Sequence, residues 1–181
     1  MSKKYFVCAN SGKGFVNFFS ESLENMQKIY IIKGGPGSGK STLMKRIAKK
    51  YEDEGLNIDY IMCSSDPDSL DGVIINDYSI AIVDGTMPHV IEAFLPGAVE
   101  EYINAGNIWD ISVLENNKEE IAILSKNIKK DYEKAYEYLR DAKRLHDELE
   151  EYYKTASSFE KMDTIFNEII AKIDEKISKV L

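Results

Sequence analysis

The apolar positions of this chain follow two periods, and the change falls near residue 115. Before it, short β-branched runs alternate with amphipathic stretches and with glycine or proline turns. Tyr5–Ala9 reads as a short strand, Ser11-Gly12-Lys13-Gly14 as a turn and Phe18–Met26 as a helix. Ile29–Ile32 is an apolar strand, Gly39–Glu54 a helix closed by Gly55, and Ile58–Cys63 a second buried strand. Val73–Ile75 is a short apolar run turned by Asn76-Asp77, and Ile80–Val83 is a third strong strand. Strands alternating with helices predict an α/β fold, a mainly parallel sheet flanked by helices. Ligands of such sheets bind beyond the carboxyl ends of the strands.

From residue 115 onward there is neither glycine nor proline, and the period becomes helical. Ile121, Leu124, Ile128, Asp131, Ala135, Tyr138, Ala142, Leu145, Leu149, Tyr152 and Ala156 recur at spacings of three and four, and only Asp131 interrupts the apolar seam. Asn117 with Glu120 marks the start of this helix. Thr155-Ala156-Ser157-Ser158 ends it, and Ser157 with Glu160 has the form of a capping box. A second helix then carries Phe159, Met162, Phe166, Ile169, Ile173, Ile177 and Val180 on one face. Each seam needs cover, so an antiparallel, coiled-coil-like hairpin is expected. Its readings are a plain solvated helical pair or an arm for a protein partner or a homodimer. The expected organisation is a core over residues 1–114 and a helical hairpin over 115–181.

Candidate chemistry concentrates between the first strong strand and its helix. Gly34-Gly35-Pro36-Gly37-Ser38-Gly39-Lys40-Ser41-Thr42 fits G-x-x-x-x-G-K-[ST], the phosphate-binding P-loop, in its required strand–loop–helix setting. Glycines let successive N–H groups point at a phosphate, and the helix N-terminus adds partial positive charge. Gly35, Pro36, Gly37, Ser38, Gly39, Lys40, Ser41 and Thr42 are therefore the expected nucleotide-binding residues. Lys40 would reach the β- and γ-phosphates, Ser41 would bind Mg²⁺, and Thr42 would lie by the α-phosphate. A glycine turn that merely caps a helix is the competing reading. Ile80-Ala81-Ile82-Val83-Asp84 has the form of a Walker B strand, whose terminal Asp84 would share Mg²⁺ with Ser41; an Asp capping the next turn is its alternative.

Gly85 stands where many P-loop ATPases place a catalytic glutamate, so hydrolysis is slow or another group serves. Asp66, Asp68, Asp71, His89 and Glu92 are the candidates, with Asp66 and His89 joining Lys40 and Asp84 as the expected catalytic set. A Ser/Asp/Pro turn around Asp66 and a structural histidine at 89 are the alternatives. No N-K-x-D sequence marks guanine, so ATP is the expected nucleotide. Arg46, Arg140 and Arg144 are the only arginines, few for efficient phosphoryl transfer between nucleotides.

Bulk properties narrow the partners. At 181 residues with 44% hydrophobic content, the chain supports one core and an appendage. A formal net charge of −8 leaves no basic footprint for nucleic acid. Cys8 and Cys63 are far apart in sequence, which argues for a reduced protein without a thiolate metal site. No apolar run suggests a signal peptide or a membrane span, so a cytoplasmic protein is expected.

Gly34–Thr42, the run Cys63–Ile74, the run Ile82–His89 and the run Pro96–Glu101 together resemble an uncharacterised bacterial, Firmicutes-type family of P-loop ATPase-like proteins. The resemblance covers about residues 4–114. It implies ATP binding and a P-loop NTPase fold, commonly with two P-loop halves in tandem; this chain resembles one half. Three functions remain open: a slow Mg²⁺-dependent ATPase acting as a nucleotide-dependent switch, an ATP-using small-molecule kinase, and a non-catalytic interaction module stabilised by nucleotide.

Overall fold

The computed structural model of the protein describes residues 2–179; Val180, the last expected seam position, lies outside them. In chain order the elements are β1 (Lys3–Tyr5), β2 (Cys8–Ser11), β3 (Gly14–Asn17), α1 (Phe19–Ser22), β4 (Lys28–Lys33), α2 (Lys40–Asp53), β5 (Ile58–Met62), β6 (Leu70–Ile75), β7 (Ile80–Asp84), β8 (Glu100–Asn104), α3 (Ile111–Asn116), α4 (Lys118–Ala156) and α5 (Phe159–Ser178). The fold is mixed α/β. Six strands form one sheet in the order β1-β5-β6-β7-β4-β8, and β2 and β3 make a separate hairpin.

The sheet is mostly parallel because β1 pairs with β5, and β4 pairs with both β7 and β8, in parallel. Only β6 runs the other way, antiparallel to both of its neighbours. A three-residue 3₁₀ turn, Asn76–Tyr78, is all that separates β6 from β7, and so short a connection forces an antiparallel pair. The run Val73–Ile75 is thus the end of a longer strand. All six residues of β6 are buried, which removes the alternation that marks a half-exposed strand.

Two apolar layers cover the sheet. On one face α2 lays Met44 and Ala48, both fully buried, against Ile32, Ile58, Leu70, Val73, Ile75 and Ile82. On the other, Val7, Cys8, Phe19 and Leu23 meet Ile29, Ile31, Ile61, Ile74, Ala81 and Val83. Burying Met44 fully contributes about 2 kcal/mol by apolar transfer, and α2 is held to the sheet by such contacts.

Three sequence expectations change. Tyr5–Ala9 is not one strand: the chain leaves the sheet after Tyr5, and Cys8 opens the β2–β3 hairpin opposite Asn17. The helix expected over Phe18–Met26 is confined to Phe19–Ser22, because Asn25 takes a left-handed φ of 68° that no helix continues through. The cap of α5 is Ser158, while the Ser157 hydroxyl donates to the Tyr153 carbonyl at 2.7 Å. Strand β8 and helix α3 had no counterpart in the pattern. Glu100-Glu101-Tyr102-Ile103-Asn104 is poor in strand formers and is held by its long-range partner β4.

The C-terminal helices lie where the period places them. Their seams stay open: Leu124, Ile128, Leu145 and Leu149 of α4 and Met162, Phe166, Ile169 and Ile173 of α5 are all exposed. By compactness the chain divides into two units, Met1–Arg140 and Asp141–Leu181, with the boundary inside α4. No helix among the described residues is long and apolar enough to cross a membrane.

Candidate functional site

The glycine segment Gly34–Gly39 links the end of β4 to the start of α2, and both flanks are anchored. Ile31 and Ile32 precede it fully buried, and Met44 pins α2 behind it. The turn needs glycine because Gly37 and Gly39 take φ values of 74° and 78°, and Gly39 is the N-cap of α2. Ser38 is buried, and its hydroxyl donates to the Gly35 carbonyl at 2.8 Å. The indole of Trp109 sits over Gly35, 3.4 Å from where a Cβ would stand.

Lys40 turns back into this loop. Its ammonium donates to the carbonyls of Gly34 (2.8 Å) and Gly35 (3.0 Å), and it lies 3.4 Å from Asp84 Oδ2. Both charged side chains are largely buried, 10% and 16% exposed, so their attraction is little screened. Asp84 arrives there because β7 pairs directly with β4, Ile32 opposite Asp84. Its other oxygen, Oδ1, accepts from the Thr86 amide at 2.9 Å and from the Thr86 hydroxyl. Ser41 Oγ accepts the Leu70 amide at 3.0 Å. Thr42, Pro36, Gly37 and Gly39 are exposed on the rim.

Among the described residues, the other expected side chains make no hydrogen bond to this group. Asp66 is exposed and spends both carboxylate oxygens on its own turn, accepting from the Asp68 amide at 3.0 Å and the Ser69 hydroxyl at 2.7 Å. The Ser69 hydrogen bond, then the Asp68 amide, hold its carboxyl below the usual range. Glu92 accepts from Tyr102 (2.8 Å) and Lys33 (3.0 Å), which hold it low as well. Arg46 is exposed, and Arg144 pairs with Glu148 at 2.6 Å.

His89 is 5% exposed and belongs to a closed polar cluster. Its Nε2 faces Asp71 Oδ2 at 3.2 Å, and its Nδ1 faces Cys8 Sγ at 3.4 Å. Cys8 in turn reaches Asn17 Oδ1 at 3.5 Å, and the Asn17 amide donates to the His89 carbonyl at 3.0 Å. The rings of Phe15 and Phe19 pack on the imidazole. Asp71 is the extra residue of a β-bulge: Ile61 is opposite Gly72 while Met62 is opposite Leu70. Burial pulls the His89 pKa down, but the bond to Asp71, Cys63 and the charges of Asp71 and Asp84 outweigh it and raise it to about 9. Burial, then the Asp71 charge, push the Cys8 thiol up to about 12. At neutral pH His89 is a cation with no lone pair to accept a proton.

The loop offers what a phosphate chain with a divalent cation requires. A lysine already held among acceptor oxygens, exposed loop residues ahead of a helix N-terminus, a hydroxyl at Ser41 with a second lone pair and a carboxylate at Asp84 form a compatible donor set. Trp109, Leu70 and Thr86 had no sequence signal as neighbours of the site.

A profile of the family described as Novel STAND NTPase 3 (nSTAND3) matches residues 19–89. The matched stretch is less than half of the chain and runs from α1 through the glycine loop, α2 and β7 to His89. This segment is therefore NTPase-like. No curated protein and no solved structure matches the chain.

Proposed function

We propose that the protein binds ATP with Mg²⁺ at the glycine loop and hydrolyses it slowly, as a nucleotide-dependent switch with a P-loop NTPase fold. The observation that carries this reading is the placement of Lys40. A lysine at the first position of α2 lies largely buried against two loop carbonyls and the terminal acid of the adjacent strand. An ammonium so held is ready to exchange those oxygens for phosphate oxygens. Ser41 and Asp84 are the residues that would hold Mg²⁺, which when bound neutralises charge on the transferring phosphoryl group. Ser38 steadies the loop through Gly35.

Slow turnover is supported at position 85. A Cβ on Gly85 would stand 2.3 Å from Ile31 Cγ2, so a water-polarising glutamate has no room there. The match to an NTPase family over residues 19–89 agrees with nucleotide as the ligand.

Calorimetric titration of the full chain with Mg·ATP, beside an assay of ADP release, tests the proposal, with Lys40→Ala as the comparison. Removing one charge-assisted contact costs about 1.5–3 kcal/mol, so affinity should fall roughly tenfold to a hundredfold. A folded Lys40→Ala protein with unchanged ATP affinity would overturn the assignment. Lys40-dependent ADP release identifies an ATPase; tight binding without release excludes an ATPase and leaves a nucleotide-stabilised module or a kinase lacking its acceptor.

A further inference from the structure

One segment beside the nucleotide loop is tied to two distant parts of the chain. Residues 63–69 connect β5 to β6. They are stiffened from within: the Cys63 amide donates to the Ser69 carbonyl at 3.1 Å, the Ser69 amide to the Asp66 carbonyl at 2.9 Å, and the Asp66 carboxylate closes the turn. On the nucleotide side the segment ends at Leu70, whose amide donates to Ser41 Oγ at 3.0 Å, and Lys45 of α2 donates to the Asp68 carbonyl. On the other side Asn10 of β2 donates its side-chain amide to the Ser64 carbonyl at 3.2 Å and to Ser65 Oγ at 3.4 Å. The remaining polar atom of that amide, Oδ1, accepts the hydroxyl of Tyr136 of α4 at 2.8 Å.

Tyr136 has a particular place on the helix. From Lys118 to Arg140 it is the one half-buried residue of α4; the others there are exposed. It does not lie on the apolar seam, whose neighbouring positions are Ala135 and Tyr138. This hydrogen bond therefore joins α4 to β2 through a tyrosine that stands off the helical repeat. Burial, then the neighbouring Tyr132, raises its phenol pKa, so it remains a donor at neutral pH.

We propose that Asn10 and Tyr136 are positioning residues of the nucleotide site, and that through them α4 and the bound nucleotide read each other. The inference rests on the ATP reading above. Ser41 Oγ is the shared atom: a cation held there would withdraw charge from the oxygen that the Leu70 amide donates to. The bond to Leu70 would then weaken, the stiff segment 63–69 would shift as a body, and Asn10, whose amide is used on both sides, would carry the shift to Tyr136. Coupling of this kind is reciprocal, so deleting the tyrosine contact alters nucleotide affinity by the same factor by which nucleotide alters the contact.

The test compares the full-length protein with Tyr136→Phe, which removes one hydroxyl and keeps the ring, and with Asn10→Ala. Amide hydrogen exchange of residues 63–70 and 118–140 is followed with and without Mg·ATP, alongside calorimetric affinity. In the unchanged protein both segments should alter their exchange on binding Mg·ATP. In Tyr136→Phe the response of 63–70 should persist and that of 118–140 should vanish, with affinity shifted about fivefold, the scale of one hydrogen bond. Asn10→Ala should abolish the α4 response as well. A merely structural contact would change exchange in α4 equally with and without nucleotide, and that result overturns the inference. So does an α4 response in Tyr136→Phe equal to that of the unchanged protein, or none in either while ATP binds; in both cases the ATP reading stands. Absence of ATP binding by the unchanged protein sinks that reading and this inference with it.

Discussion

The buried pair of His89 and Asp71 should make the stability of the sheet unit depend on pH in a defined window. The imidazole titrates near 6.5 when unfolded and at about 9 in the fold. A raised folded pKa stabilises the protein fully below the unfolded value, and the contribution is lost as pH rises through the folded one. The shift corresponds to about 3 kcal/mol at full extent, and the ring is nearly inaccessible to solvent, so screening is weak. About 2 kcal/mol of it should fall away between pH 6.5 and 8.5. Stopping at 8.5 keeps the experiment below the ordinary thiol pKa of 9, above which Cys8 adds a loss of the same sign.

Asp71→Asn is the informative perturbation. It keeps the shape of the bulge and removes the charge that holds the proton on His89. Burial then dominates, the imidazole becomes neutral, and the alkaline slope should disappear while the fold persists. Urea unfolding at pH 6.5, 7.5 and 8.5 measures the slope, read through the fluorescence of Trp109, the one tryptophan of the chain, which packs on the glycine loop. A flat profile in the unchanged protein, or the same slope in Asp71→Asn, would refute the argument. A proton resonance of His89 that titrates near its unfolded value would refute it independently.

Two further outcomes follow from the same geometry. Gly85→Ala places a methyl 2.3 Å from Ile31 Cγ2 at the buried edge of the loop; it should cost about 1–3 kcal/mol in urea unfolding by overpacking, and an unchanged midpoint would show that the loop yields freely. Asp84→Asn removes the carboxylate beside Lys40 but keeps an acceptor for the Thr86 amide; ATP should still bind in part while the dependence on Mg²⁺ is lost, and equal activity at equal Mg²⁺ would remove Asp84 from the metal site.

What could be read from the sequence is what lies close along the chain. The glycine loop is contiguous, and its strand and helix flank it directly, so Lys40 and Ser41 were legible as a set. Asp84 was legible because an apolar run ends in an acid. The cluster around His89 was not, because a bulge at Asp71 and a hairpin carrying Cys8 and Asn17 bring it together across more than seventy positions. Asn10 and Tyr136 are farther apart still and carry no local pattern. Strand β8 was hidden for another reason: its glutamates and asparagine are tolerated only at an edge, where β4 supplies the pairing. The period of α4 and α5 gave the helices, since a seam is local, yet nothing local specifies what covers it.

The strand order itself argues for slow hydrolysis under the proposed reading. With β7 directly beside β4, Asp84 is close enough to pair with Lys40, and the same closeness fills the space at Gly85 with Ile31. A base must then come from elsewhere. Asp66 and Glu92 are both held below their usual pKa by hydrogen bonds, and a carboxylate so stabilised is a weaker base. His89 carries its proton at neutral pH and is sealed beneath two phenylalanine rings. Of these groups, only Asp66 sits on a segment attached to Ser41, and freeing its oxygens requires the turn at 66–69 to open. That turn follows directly on Ser64 and Ser65, the two residues to which Asn10 donates. Under the proposed reading, a filled position 85 and an acid spent on its own turn favour a long-lived bound state over rapid cycling.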